Sequence, residues 1–368
     1  MSGKIAQSDG KLRIYALFGD GGQHAGKISR GPRHEIHFSP IGFDELFPRP
    51  HGAEIHVSRN AMDQALAEME AFDAVFSDSP EAVLLHYVRR RRRCKPIPWL
   101  VNELDFFATA GLVRRYVERH YGEDPLPGIL SAPEVQWFTI LDGQQERYRR
   151  LGMRSESLHY LPMTRASIAF FFPDMVALQD CLMAGSIHSA PSSPVPEGAI
   201  LAIGSHDRDF DCLERALGHS GLTADVICNL ALYEPHPSQC LRWHDSQPPD
   251  VYLESIRRAS VIVIPLKKTN RAAGQLSCAL PMRLAKPIVA ANVESIAPLV
   301  EHGVTGLTYP PGDASALARC LEILGSRADE AARLGAQAAQ RERQLSELAH
   351  LTVDNILQSM QASGGASQ

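Results

Sequence analysis

No C-x-x-C pair occurs in this sequence; its seven cysteines (Cys94, Cys181, Cys212, Cys228, Cys240, Cys278 and Cys320) are spread singly along the chain. An odd, unclustered set argues against a zinc or disulfide framework and for reduced thiols in a cytoplasmic protein. No apolar run approaches the ~18 residues that a membrane-spanning helix needs. The opening MSGKIAQSDGKLRIYALFGDG has no long apolar core, so no signal peptide is expected. A basic excess is absent as well: a net charge of -5 argues against a general nucleic-acid binder, whose footprint would be positive overall. No tandem repeat is found, and no group of His, Cys and carboxylates has metal-ligand spacing.

What is present is an ordinary soluble composition, 44% hydrophobic and 21% charged. At 368 residues the chain exceeds one ordinary core, so two domains are expected. In the first half, LRIYALFG, DAVFSD, IPWLVNELD and EVQWFTILD read as short buried strands. AMDQALAEMEAF, PEAVLLHYVRRRRR and GQQERYRRLGM read as the helices between them. Strands alternating with helices imply a parallel sheet covered on both faces. MAGSIHSAPSSPVPEG then crowds Pro, Ser and Gly without periodicity, which reads as a linker. A second alternating unit follows in AILAIG, DFDCLERALGHSG, ADVICNLAL, SVIVIP, PIVAANV, GLTYP and DASALARCLEILG, with Asp313 as an N-cap. A last helix is expected around Gln344 to Met360 from the spacing of Leu345, Leu348, Val353, Ile356, Leu357 and Met360. The expected layout is a first domain over 1–184, a linker over 185–197, a second domain over 198–343, and a helix over 344–362 returning to the first domain. Two doubly wound domains would present their strand ends to a common cleft, where such sheets bind ligands.

The stretch SVIVIPLKKTNRAAGQLSCALPMRLAKPIVAANVESIAPLVEHGVTGLTYPPGDASALARCLEIL resembles the family-4-like glycosyltransferases of the GT-B fold. The resemblance rests on Lys286-Pro287-Ile288-Val289, on Glu301-His302-Gly303-Val304-Thr305-Gly306-Leu307, and on Pro311-Gly312-Asp313. The first half matches only in layout, through FGDGGQHAG after the first strand and YRRLGM. Several positions depart from the family. Its two glutamates, eight positions apart, are Ala272 and Leu280 here, its Gly before Lys-Pro is Ala285, and its Arg after the first strand of the second domain is Ser205, with Arg208 three residues later. The loop Asn270-Arg271-Ala272-Ala273-Gly274-Gln275-Leu276 is similar to a subset with an A-G-Q donor loop. The resemblance implies an α/β fold of two Rossmann-like domains and transfer of a hexose from a nucleotide-sugar to an unidentified acceptor, without a metal and with retention. The nucleotide-sugar would be a substrate, so no resident cofactor is expected. The donor would sit on the second domain and the acceptor on the first. An inactive partner subunit and a nucleotide-sugar epimerase remain as alternatives.

Within that frame, Gly274 lets backbone approach a diphosphate, and the amides of Gln275 and Leu276 open a helix whose positive end suits an anion. Lys267, Lys268 and Arg271 are candidates to neutralise the leaving diphosphate; the plain alternative is a strand-to-helix turn with solvated lysines. Gly21 and Gly22 offer a second backbone approach, with His24 nearby, or a simple glycine turn. Asp207, Asp209 and Asp211 alternate like a metal motif, but they precede a helix and read as caps. Arg208 between them is a further diphosphate ligand. Glu103 and Asp105, after a strand, are candidates for acceptor or sugar hydroxyls, with loop capping as the alternative. The run Arg89, Arg90, Arg91, Arg92, Arg93 either faces an anionic membrane or acidic acceptor, or is a solvated helix end.

Overall fold

Short apolar strands separated by amphipathic helices build two α/β units in the computed structural model. It describes residues 11–17, 27–30, 34–40, 57–77, 82–102, 106–141, 143, 145–171, 176, 179–181, 183–184, 193–233, 235–269 and 272–365. One unit comprises Met1–Leu161, Phe170–Asp174 and Leu351–Gln368; the other comprises Pro162–Ala169 and Met175–His350. The linker expected at 185–197 lies mostly outside the described residues.

The first unit is a seven-stranded sheet in the order β2-β3-β1-β4-β5-β6-β7. Its strands are β1 (Leu12–Leu17), β2 (Ile28–Arg30), β3 (His34–Phe38), β4 (Ala74–Ser77), β5 (Trp99–Asn102), β6 (Val135–Thr139) and β7 (Leu158–Tyr160). All pairings are parallel except β2 with β3. The antiparallel edge strand is a difference from the all-parallel reading. HEIHF and ISR alternate polar with apolar residues, so neither stands out as a buried run. Helices α1 (Arg59–Met69), α2 (Ala82–Arg91), α3 (Phe106–Tyr121), α4 (Leu126–Leu130) and α5 (Gln145–Arg150) connect the strands. Val75, Trp99, Val101, Val135 and Trp137 form one side of its core, with Met62, Leu66, Val83 and Val117 from the helices.

The polybasic run ends α2, and four of its arginines have acceptors within this unit, although Arg90 to Arg93 stay exposed. Arg89 is buried and ion-paired with Glu70 at 2.7 Å, off the line of a hydrogen bond. Arg90 donates to the Gly128 carbonyl at 3.0 Å, Arg91 pairs with Glu123 at 3.3 Å and Arg92 with Asp63 at 2.6 Å. Arg93 takes a positive φ of 56° just beyond the helix.

The second unit is a six-stranded, all-parallel sheet in the order β10-β9-β8-β11-β12-β13. Its strands are β8 (Ile200–Ile203), β9 (Ala224–Ile227), β10 (Leu241–His244), β11 (Val261–Ile264), β12 (Ile288–Ala291) and β13 (Leu307–Tyr309). Preceded by α6 (Arg165–Phe171), the helices are α7 (Phe210–Ser220), α8 (Pro249–Arg258), α9 (Gln275–Arg283), α10 (Ala314–Ser326) and α11 (Ala328–Gly365). The chain runs outward from β8 to β10, then returns to place β11 on the other side of β8. The strand order therefore reverses between β8 and β11, and open parallel sheets bind their ligands outside the carboxyl ends of the strands at such a reversal.

Caps behave as read: Asp209 accepts from the Cys212 amide at 3.0 Å to start α7, and Asp313 from the Ala316 amide at 2.8 Å to start α10. The family-like motifs prove to be stitches within the fold. Lys286 donates to the Arg257 and Ala259 carbonyls at the end of α8. His302 Nδ1 accepts the Thr308 amide at 3.0 Å, and Thr305 Oγ1 donates to the Leu299 carbonyl at 3.0 Å. A Cβ on Gly306 would fall 2.7 Å from the Ile288 carbonyl oxygen, so only glycine fits there. Ala285 carries φ 52°, a left-handed backbone in the position where the family has glycine.

Helix α11 starts at Ala328, well before the expected Gln344. Its first half, ADEAARLGAQAAQRERQ, is rich in the strongest helix former and poor in large apolar residues, so spacing of Leu and Ile misses it. A Cβ on Gly335 would lie 2.0 Å from the Ala285 carbonyl oxygen, which is how closely this helix passes the Ala285 turn.

Candidate functional site

The reversal point between β8 and β11 gathers most of the described site residues. After β8 the chain turns at Gly204 (φ 96°) and Asp207 (φ 56°), and Arg208 then bridges back to Leu266 beyond β11. The Lys267 amide donates to the Asp207 carbonyl at 2.9 Å, and Thr269 Oγ1 to the Asp207 carboxylate at 3.1 Å. These bonds tie the two loops together.

Arg208, expected as a diphosphate ligand, is buried at 5% exposure. Its Nε donates to the Ile203 carbonyl at 2.9 Å, Nη1 to the His206 carbonyl at 2.7 Å, and Nη2 to Ser277 Oγ at 2.8 Å. Gly204 makes the room: a Cβ there would fall 1.9 Å from Arg208 Nη2. A guanidinium has five N–H donors, so these three bonds leave two without a partner among the described residues, and every acceptor is neutral. No carboxylate pairs with Arg208 among the described residues. Burial pulls its pKa below the ordinary arginine value, with the charges of neighbouring groups only partly opposing that pull. An unpaired buried cation is costly unless an anion joins it.

Ser277 lies in the first turn of α9, so the guanidinium is held beside that helix's amino end. Gly274 precedes the helix at φ 88° and no side chain caps the first turn. The helix dipole and the Arg208 charge therefore bear on one place. Lys267 and Lys268 are exposed beside it. Gln275 is buried, and its Oε1 accepts the Met163 amide at 3.3 Å, so its side chain braces the loop. Leu276 is 58% exposed at the helix start.

Glycine at 274 has a packing reason beside the expected one. A Cβ there would meet Leu266 Cδ1 at 2.8 Å and Ile296 Cδ1 at 3.0 Å, and the backbone is left-handed, so apolar packing and φ already favour glycine. The loop is further fastened by Ser295 Oγ, which donates to the Ala273 carbonyl at 2.7 Å. Leu280 is 7% exposed and part of the core, so that position presents no polar group to a ligand.

Gly21, Gly22, His24, Glu103, Asp105 and Arg271 lie outside the described residues. Beside Glu103, Asn102 closes β5 at 5% exposure, and its Oδ1 has no partner among the described residues. Gly204, Ser277, Ser295 and Asn102 were missed by the sequence reading; only the strand-ending glycine of AILAIG carried a signal. Among the described residues no group of three or more His, Cys, Asp or Glu could hold a metal ion, and no helix is long and apolar enough to cross a membrane. All seven cysteines are unpaired.

Residues 232–326, spanning β10 to α10, match the family described as "Glycosyl transferases group 1". A search of curated proteins returns no match. Among solved structures, the chain is similar to Anabaena HepE in complex with UDP-glucose, at 13% identity and TM-score 0.61, covering 94% of this chain and 99% of that one. It is also similar to the sucrose-phosphate synthase of Thermosynechococcus elongatus, at 15% identity and TM-score 0.60, covering 95% and 89%. A third likeness is to a glycosyltransferase from Rickettsia africae, at 13% identity and TM-score 0.59, covering 96% and 99%. Identities this low establish the fold: the protein has the GT-B fold of two Rossmann-like units.

Proposed function

We propose that the protein is a glycosyltransferase that takes a hexose from a nucleotide-sugar, with the donor diphosphate held by Arg208, Lys267, Lys268, Arg271 and the amino end of α9. The observation that carries this reading is the buried Arg208 guanidinium, which among the described residues has two N–H groups without a partner and no paired carboxylate, with an uncapped helix end beside it. A doubly charged diphosphate supplies the missing negative charge and accepts from both sources. Further support comes from the family match over 232–326 and from HepE having been solved with UDP and with UDP-glucose.

In the reaction, the bond between the anomeric carbon and the phosphate oxygen breaks, and an acceptor hydroxyl oxygen bonds to that carbon. Charge builds on the leaving diphosphate, and in this reading the guanidinium, the lysines and the α9 amides stabilise it in the role a divalent ion would otherwise fill. In a retaining course the hydroxyl proton passes to the departing phosphate oxygen, and Glu103 and Asp105 position hydroxyls instead of acting as base. The unpaired thiols suit a cytoplasmic setting.

One specific observation favours a second reading, an inactive partner subunit: Ala272 and Leu280 stand where the family has carboxylates, and Leu280 is buried in the core. Nucleoside diphosphate release from UDP-, GDP- and ADP-glucose, with and without EDTA, separates the two. Release of at least one nucleotide, undiminished by EDTA, is the expected result. No release from any donor, with or without a range of acceptors, favours the partner subunit, and release that needs added metal contradicts the metal-free mechanism.

A further inference from the structure

A nucleotide-sugar is more than its diphosphate: it also carries vicinal hydroxyls, which a carboxylate recognises by accepting two O–H bonds. A carboxylate set close to bound phosphate is repelled by it, so one kept at such a site must face hydroxyls. Most loop carboxylates at the carboxyl edge of the second sheet are engaged. Asp207 accepts from Thr269, Asp209 caps α7, Asp313 caps α10, and Asp245 accepts the Leu230 and Ser246 amides at 3.1 and 2.7 Å.

Glu294 is different. It stands in the loop leaving β12, is exposed, and has no hydrogen-bond or ion-pair partner among the described residues. The tight turn around it is closed by the Ile296 and Ala297 amides, which donate to the Val293 carbonyl at 3.0 and 3.2 Å. The next two residues fasten this turn to the loop that opens α9. Ser295 Oγ holds the Ala273 carbonyl at 2.7 Å, and Ile296 Cδ1 fills the space where a Cβ on Gly274 would be, 3.0 Å away. The fold thus sets Glu294, one residue before these contacts, next to the loop that opens α9.

We infer that Glu294 binds a vicinal diol of the donor, either of the ribose or of the transferred sugar, and so determines which nucleotide-sugar the site accepts. This inference rests on the donor-site reading above. Calorimetric titration of the wild-type and Glu294→Ala chains with pyrophosphate, with UDP, GDP and ADP, and with their glucose esters tests it. Pyrophosphate, which has no diol and is repelled by a nearby carboxylate, is expected to bind the variant at least as tightly as the wild type. The nucleotide that binds the wild type is expected to bind the variant about tenfold or more weakly if the ribose is read; only its glucose ester weakens if the sugar is read. Equal affinity of the two chains for every probe overturns the inference and leaves the donor site standing. A parallel loss of pyrophosphate binding also overturns it, because Glu294 then only shapes the loop. Wild-type protein that binds none of the probes removes the donor site itself, and the inference with it.

Discussion

Arg208 and Ala285 are each held by the fold in a state that their chemistry alone disfavours. For Arg208 the disfavoured state is a buried charge, and in the proposed reading the donor diphosphate relieves it. For Ala285 it is a left-handed backbone at φ 52°. A non-glycine residue there costs about 1–2 kcal/mol, against which glycine's extra unfolded-state freedom costs about 0.4–1 kcal/mol. Ala285→Gly is therefore expected to stabilise the second unit by about 0.5–1 kcal/mol. A denaturant titration reads this as a higher midpoint, and a lower midpoint would contradict the strain. Gly274 has the opposite sensitivity, because φ is 88° and Leu266 and Ile296 already fill the Cβ position. Gly274→Ala is expected to lose about 1–3 kcal/mol of stability, seen in the same titration, so any change in ligand affinity at this position has to be measured on a weakened fold. An unaltered midpoint would mean that the loop relaxes more freely than its packing implies.

Among the elements, those buried on both faces were legible in the sequence: VIVI of β11 and IVAA of β12 are unbroken apolar runs because α/β sheets cover them on each side. LRWH of β10 and HEIHF of β3 carry charges and histidines on exposed or half-buried positions, and no local pattern separates them from loop. The amino half of α11 hid behind alanine. The site divided in the same way. Gly274 before an apolar helix is a local signal, whereas the bond from Arg208 to Ser277 joins residues 69 apart and becomes visible only when β8 and β11 lie side by side. At this scale Lys286 is the residue to test, since its ammonium group satisfies two carbonyls at the end of α8. Lys286→Met is expected to cost about 1–3 kcal/mol and to raise amide exchange selectively in the last turn of α8. Unchanged exchange there would deny it the role of a cap.

For the molecule as a whole, acid sensitivity is written into the first unit. Desolvation lowers the pKa of His34, His37 and His159 below the ordinary 6.5, although hydrogen bonds from His34 to the Phe170 carbonyl and between His37 and Glu35 pull the other way. As pH falls below about 6.5 the unfolded chain takes up protons before the native one, so stability rises with pH in this window and is lost on acidification. The urea midpoint of the first unit's transition is expected to fall between pH 7.5 and 5.5, and His159→Gln is expected to shrink the drop. A midpoint that holds steady or rises on acidification would contradict the assignment. The sign does not depend on the proposed donor site, whose described residues belong to the other unit.

The central claim is that the second unit is built around an anion, and calorimetric titration of one substitution addresses it most directly. Wild-type protein is expected to bind a nucleoside diphosphate among UDP, GDP and ADP. Arg208→Met is expected to weaken that binding by about tenfold to a hundredfold, in line with the loss of charge-assisted bonds worth ~1.5–3 kcal/mol. Arg208→Lys, which keeps the charge but not the planar fork, is expected to fall between the two. Circular dichroism and the denaturant midpoint establish that each variant is folded. Folded Arg208→Met protein that binds the same nucleotide as tightly as the wild type would contradict the account, since the buried guanidinium would then have no part in holding the diphosphate.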